Sequence, residues 1–268
     1  MASTDRTEYE YKGLLAETWD ILRGDTSNWP DRFFYRQVII DNGQPALDVG
    51  CGTGRLLLDY LAGGLDVDGV DLSAEMLAIC REKAEKAGLS PTLHQQPMER
   101  LKLPRAYRTI LVPSSSFQLI TELKKAADTM KSFYGHLDPG GLLVMPFMIL
   151  APEKPEKEHD PSEWRLAAEK ERPHDKTLIR RWTRPRYDLV NQLEHTEDRF
   201  EISRSGRMIF SELHQRSPAT RWYTQEQAVE LYQNAGFADI RVVKGFTFEP
   251  ASPHDALFSV FGTRPLDG

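Results

Sequence analysis

Gly50, Gly52 and Gly54 fill three of five positions directly after the apolar run 46–49, and two acids flank them: Asp48 two residues before the first glycine and Asp71 seventeen after the last. Glycines at that density cost chain entropy that a turn alone does not require, so the spacing predicts a close approach to the backbone. Two ligand chemistries compete for it. A pyrophosphate cradle wants Gly-x-Gly-x-x-Gly, whereas here Arg55 and Leu56 stand where the third glycine of that pattern would fall. Asp48 would repel a pyrophosphate, but it suits a ligand that carries an ammonium and a sulfonium charge. Asp71 can accept from two ribose hydroxyls, a role that an acid fills in either class of site.

The elements that must position these groups alternate. An apolar helical pattern over 8–40 ends at Asp41-Asn42-Gly43 and Pro45. Strand "ALDV", the glycine turn carrying Cys51, helix "GRLLLDYLA" and strand "LDVDGVDL" follow. Ser73 caps a helix that runs to about Ala87, with Glu75 in its first turn and Gly88 just past its end. "PTLHQQ" and "YRTILVP" read as strands, "TELKKAADTMKSFYGHL" as a helix and "GGLLVMPFMI" as a strand. Alternation of this kind implies right-handed crossovers and a parallel, Rossmann-like α/β sheet with helices on both faces and ligands at the carboxyl ends of the strands. After Leu150 the texture changes. "APEKPEKEHDPSE" reads as an exposed connection, and the short runs between Thr177 and Tyr223 read as a small antiparallel insertion. The chain then returns through helix "TQEQAVELYQNAGF" and two last strands. The expected organisation is a core domain of residues 1–150 and 222–268, with an N-terminal helical cap at 8–40, and a β-rich lid of residues 151–221.

"LDVGCGTG" followed by "VDGVDLSAEML" resembles the first glycine motif and the following acidic motif of the class I S-adenosylmethionine-dependent methyltransferases, which have a seven-stranded sheet. The resemblance covers about 30–150 and resumes over about 222–265. The insertion is similar, more loosely, to the substrate-covering sheet of small-molecule N- and O-methyltransferases, including those acting on amino sugars. It implies S-adenosyl-L-methionine as cofactor: Gly50, Gly52 and Gly54, with Cys51 between them, beside its methionine moiety, Asp48 at its ammonium, Asp71 at the ribose, Leu72 and Met76 on either side of the adenine, and the Met98 backbone N–H at the ring. Relatives carry an Asp where this chain has Pro97, so Gln96 or Glu99 substitutes or the contact is absent. Arg108 likewise replaces an acid at the start of the fourth strand. Tyr11 and Trp19, eight apart on the N-terminal helix, either close over the cofactor or pack in the core; Trp29 and Tyr35 read as structural.

Methyl transfer needs the acceptor aligned, water excluded and the acceptor unprotonated. The resemblance puts acceptor-facing groups after the fourth strand, at Pro113 to Gln118, where nucleic-acid amino methyltransferases show Asn or Asp before Pro-Pro and an aromatic. Ser115, Ser116, Phe117 and Gln118 read as walls of a small-molecule pocket, or a serine there caps the next helix. His214 is a candidate general base, with Arg221 and Tyr223 orienting the acceptor; a surface histidine is the bland alternative. Only one face of the strand at Glu194, His195 and Thr196 can point inward. From Arg172 to Arg221 eleven basic residues stand against seven acidic ones, which fits either an acceptor carrying a carboxylate or phosphate or a solvated hairpin.

The formal charge of -6 over 268 residues argues against a surface built for nucleic acid or an anionic membrane. With no apolar run approaching 18 residues and a polar start, the expected location is the cytoplasm. Neither cysteine belongs to a Cys-x-x-Cys pair, so neither a disulfide framework nor a metal site is expected. An RNA or protein methyltransferase docking through the Arg-rich insertion, and a non-catalytic cofactor-binding protein, remain as alternatives. The sequence leaves monomer and homodimer open.

Overall fold

The computed structural model describes residues 9–150 and 163–266. The connection expected at 151–163 therefore lies almost wholly outside the described residues, as does the first residue of the helix expected over 8–40. The chain divides into two compact units: Asp25–Leu150 with Trp222–Gly268, and Met1–Gly24 with Ala151–Arg221.

The larger unit is a seven-stranded sheet of β1 (Ala46–Val49), β2 (Val67–Asp71), β3 (Leu93–Gln95), β4 (Tyr107–Leu111), β5 (Leu137–Met148), β10 (Ala238–Lys244) and β11 (Leu257–Thr263). Its order is β3-β2-β1-β4-β5-β11-β10, parallel through β5, with β11 antiparallel to both neighbours. The central strands are buried on both faces, so they read as apolar runs without alternation. From β1 the chain steps to β2 on one side and later to β4 on the other, which makes the carboxyl ends of β1 and β4 the topological switch point. The helices α3 (Pro30–Asn42), α4 (Leu57–Ala62), α5 (Ala74–Lys86), α6 (Leu123–His136) and α7 (Gln225–Asn234) flank the sheet.

Local chemistry sets the helix ends. Ser73 Oγ accepts from Met76 N at 3.1 Å to start α5, and Gly88 takes φ 68° beyond its end. Thr224 and Gln227 form a reciprocal capping box on α7. Phe34, Tyr35, Val38 and Ile39 of α3 are buried in one cluster with Leu57, Tyr60 and Phe261, each large side chain contributing roughly 2 kcal/mol of burial.

The smaller unit is a four-stranded antiparallel sheet of β6 (Arg165–Glu171), β7 (Leu178–Asp188), β8 (Leu193–Arg204) and β9 (Arg207–Arg221), in sequence order. The runs expected as separate short strands are thus three long ones of 11, 12 and 15 residues. Phe200 and Ile202 pack against Leu14 and Leu15 of α1 (Leu14–Glu17), with Tyr11, Trp19 and Leu22 beside them. The single helix expected over 8–40 is instead three pieces, α1, α2 (Trp19–Arg23) and α3. Gly13 and Gly24 carry φ 58° and 69°, left-handed conformations that no helix continues through.

Candidate active site

The glycine loop hangs between β1 and β2. Gly50 N and Cys51 N both donate to Val70 O, at 2.8 and 3.1 Å, and Gly54 N donates to Cys51 O at 2.9 Å. Gly52 N donates to Asp71 Oδ2 at 2.8 Å, while Asp71 Oδ1 accepts from Ser73 N at 2.8 Å. Four loop N–H groups are therefore spent within the protein. A phosphate cradle works by aiming such groups at the ligand, so this bend is built differently.

The glycines do unequal work. A Cβ at Gly50 would lie 2.7 Å from Ser116 Oγ, and one at Gly54 would lie 2.5 Å from Cys80 Sγ. Their close approaches are to the protein's own side chains. At Gly52 a Cβ would meet only Met76 Cε at 3.5 Å and Gly50 O at 3.9 Å; this is the position where the loop leaves room. Cys51 turns its side chain into the core, where burial pushes its thiol well above the usual range, so only its backbone can serve a ligand.

Asp48 is 2 % exposed, and its Oδ1 has no hydrogen-bond partner. Burial pushes its carboxyl up to about 7, against the pull of Arg55 and the Leu57 backbone N–H. Arg55 does not pair with it: the guanidinium holds Asp31, with Nη1 3.0 Å from Oδ1, and lies 5.1 Å from the Trp29 ring centroid. A cation is what would complete Asp48. The site thus fits the ammonium of S-adenosylmethionine and misfits a phosphate, and the fit rests on a buried, orphaned carboxylate oxygen.

Around this loop, Met76 is buried on the first turn of α5, and half-buried Leu72 follows Asp71. Gln96 N donates to Asp71 O at 3.1 Å, but the Gln96 side chain clasps the Lys102 backbone, accepting from N at 2.6 Å and donating to O at 3.1 Å. Glu99 is buried in the single turn Met98–Arg100 that also holds Met98.

After β4, Pro113 is buried and its carbonyl accepts from both N and Oγ of Ser116. No serine here caps the next helix through its side chain. Phe117 is fully buried, with Phe147 and Tyr223 ring centroids both at 6.0 Å from it. Gln118 bridges the end of β5, donating to Met148 O and accepting from Met148 N. These two residues are packing and bracing, rather than the pocket walls expected. Sequence reasoning missed Ser114, which with Ser115 holds φ 56° beside the glycine loop's neighbour Ser116. Left-handed backbone at consecutive non-glycine residues costs of order 1 kcal/mol each, and nothing in "PSSSF" signals it.

In the smaller unit, the face carrying Thr196, Asp198 and Phe200 is the inward one, shared across the register by Arg216, His214 and Glu212. His195 and Arg221 stand on the other face; Arg221 pairs with Leu193 and donates to Asn191 O, and His195 Nδ1 meets Ser217 Oγ at 2.7 Å. His214 is half-buried, which depresses its pKa and keeps the imidazole neutral near pH 7. Its Nε2 is 3.2 Å from Glu212 Oε1 without the alignment of a hydrogen bond. Tyr11 precedes α1 and meets Trp19 edge-on at 5.0 Å against Phe200 and Ile202; both side chains pack within this unit. Most insertion arginines are paired: Arg180 with Glu169, Arg181 with Asp198, Arg184 with Glu197, and Arg199 with Glu201. Three of these pairs link neighbouring strands, and the fourth, Arg199 with Glu201, runs along β8.

A doubly wound sheet with β11 inserted antiparallel, an acid-flanked glycine bend at its switch point and an inserted antiparallel sheet define a class of protein. Residues 46–141 match the family model described as a methyltransferase domain. The fold is shared with solved structures of S-adenosylmethionine-dependent methyltransferases. An S-adenosylmethionine-dependent methyltransferase structure from Clostridium acetobutylicum superposes with a TM-score of 0.70 at 18% identity, covering 93% of this chain and 96% of that one. Among curated relatives, a dTDP-3-amino-3,4,6-trideoxy-alpha-D-glucopyranose N,N-dimethyltransferase of Streptomyces venezuelae is 33% identical over 99 residues, 37% of this chain and 40% of that protein. A ubiquinone biosynthesis O-methyltransferase of Psychrobacter cryohalolentis is 32% identical over 105 residues, 38% and 40% respectively. The chain spans about 40% of the length of these curated relatives. Among the described residues no helix is long and apolar enough to cross a membrane.

Proposed function

We propose that this protein transfers a methyl group from S-adenosylmethionine to a nitrogen or oxygen atom of a small-molecule acceptor bearing an anionic group. One observation carries the reading: the buried Asp48 carboxylate with an unpartnered oxygen, set before a bend whose N–H groups are already used. That combination rejects a pyrophosphate and receives a cation. The names of the relatives, one an N- and one an O-methyltransferase of small molecules, support the substrate class.

The cofactor supplies an electrophilic methyl on sulfonium, so that the acceptor's lone pair forms the new bond while the carbon–sulfur bond breaks and the thioether leaves. The chain's residues hold and orient. Asp48 would take the ammonium, Asp71 would take the ribose hydroxyls while bracing the loop through Gly52, Leu72 and Met76 would lie on either side of the adenine, and Met98 would offer its backbone N–H to the ring. Alignment of acceptor and methyl at about 3 Å contributes most of the acceleration. The acceptor must shed a proton in the course of the transfer.

Calorimetry with S-adenosylhomocysteine, followed by an acceptor screen reading its release from S-adenosylmethionine, tests this. Saturable binding and turnover with a small anionic acceptor are expected. Turnover confined to RNA or protein would replace the reading, although the internal pairing of the insertion's arginines counts against such docking.

A further inference from the structure

The inward face of the four-stranded sheet holds a cluster that neither the fold nor the cofactor accounts for. Arg216 is 14 % exposed, and its Nε and Nη1 are buried without a hydrogen-bond partner. Thr196, 7 % exposed, stands directly across the register from Arg216, and its Oγ1 is also unpartnered. Two residues along β9 on the same face, His214 Nε2 makes no hydrogen bond but faces the Glu212 carboxylate, 3.2 Å from its Oε1. The neighbouring acid does not absorb the guanidinium. Asp198, 1 % exposed, is gripped at Oδ1 by Arg181 Nε and Nη2 at 3.0 and 2.9 Å, while Arg216 Nη2 stays 3.9 Å from its other oxygen. The Tyr11 ring, 5.5 Å from Arg216 Cζ, holds the guanidinium from the N-terminal segment.

A guanidinium is a permanent cation with donors only, and a buried donor left unmade costs roughly 1–3 kcal/mol, more for a charged group. Structures keep such groups where a ligand completes them. A guanidinium and a hydroxyl directly across the strand pair offer unmade donors side by side on one face. Their natural complement is an oxyanion, a carboxylate or a phosphate.

We infer that Arg216 and Thr196 form an oxyanion-binding subsite on this sheet face.

The test uses the full chain and two probes, inorganic pyrophosphate and malonate, titrated at constant ionic strength against chloride. The readout is the Arg216 Nε–H resonance, identified by its loss in Arg216→Lys. A saturable shift is expected that chloride does not produce, weakened about threefold in Thr196→Val, and calorimetric titration of the same anions should weaken about tenfold in Arg216→Gln, which has no guanidinium resonance to read. Pyrophosphate alone would mark a phosphate anchor, malonate alone a carboxylate one, and either supports the subsite. A response equal to that of chloride means ordered water only and overturns it, as does saturable binding unchanged in both variants. Thr196→Val is isosteric and keeps the test open if Arg216→Gln fails to fold. Calorimetry with S-adenosylhomocysteine on the same samples separates the two ideas: unbound nucleoside with an intact anion response refutes the methyltransferase reading, and the reverse refutes the subsite.

Discussion

Asp48 couples stability and cofactor binding in opposite directions, and Asp48→Asn exposes both. Its carboxyl titrates near 7 in the folded protein against about 3.9 in an unfolded chain. Because the folded state holds the proton more tightly, stability is lost as pH rises from about 4 to about 7 and is level above that. The gap of roughly three pKa units corresponds to roughly 4 kcal/mol, an upper bound. Asn does not titrate, and its own unmatched amide returns about 1–3 kcal/mol of cost. The variant's Tm should exceed the wild type's by several degrees at pH 8, with a smaller excess at pH 5. Binding should move the other way. About 90 % of wild-type Asp48 is ionised at pH 8 and about 10 % at pH 6, so affinity for S-adenosylhomocysteine should fall about tenfold between them. The variant should bind weakly at both. Differential scanning calorimetry and titration calorimetry read the two effects. A Tm difference that is the same at pH 5 and pH 8, or tight binding by the variant, refutes the reasoning.

Other consequences follow from the same geometry. Gly54→Ala should cost about 3 kcal/mol in denaturant unfolding, because its Cβ would meet Cys80 Sγ at 2.5 Å on a backbone at φ 81°. Gly52→Ala should cost only about 1 kcal/mol yet weaken S-adenosylhomocysteine more than tenfold by calorimetry, and the opposite ordering would mean that the open side of the loop is misplaced. Arg181→Met should lose about 3 kcal/mol by stranding buried Asp198, and adding Asp198→Asn should restore most of it in urea unfolding.

The parallel sheet was legible because strands buried on both faces leave unbroken apolar runs, and because Ser73 and Thr224 announce their helices with capping side chains. The acids were legible as charges in places where an apolar strand has no use for them. What was hidden depends on residues far apart in sequence. The Gly52 N–H is consumed by Asp71, nineteen positions on, and the Arg55 charge is consumed by Asp31; neither pairing has a local signature. Tyr11 and Trp19 share a helical spacing by coincidence, since Gly13 bends the chain between them. In the insertion, several charged residues that read as turn material sit inside strands and find cross-strand partners, as Glu197 does in Arg184.

Titration calorimetry of S-adenosylhomocysteine into wild-type protein and Asp71→Ala at pH 8 addresses the main claim most directly. The account predicts saturable one-to-one binding that weakens at least tenfold in the variant, with no binding of NAD by either protein. Absence of binding by the wild type, or equal affinity in Asp71→Ala, would contradict it.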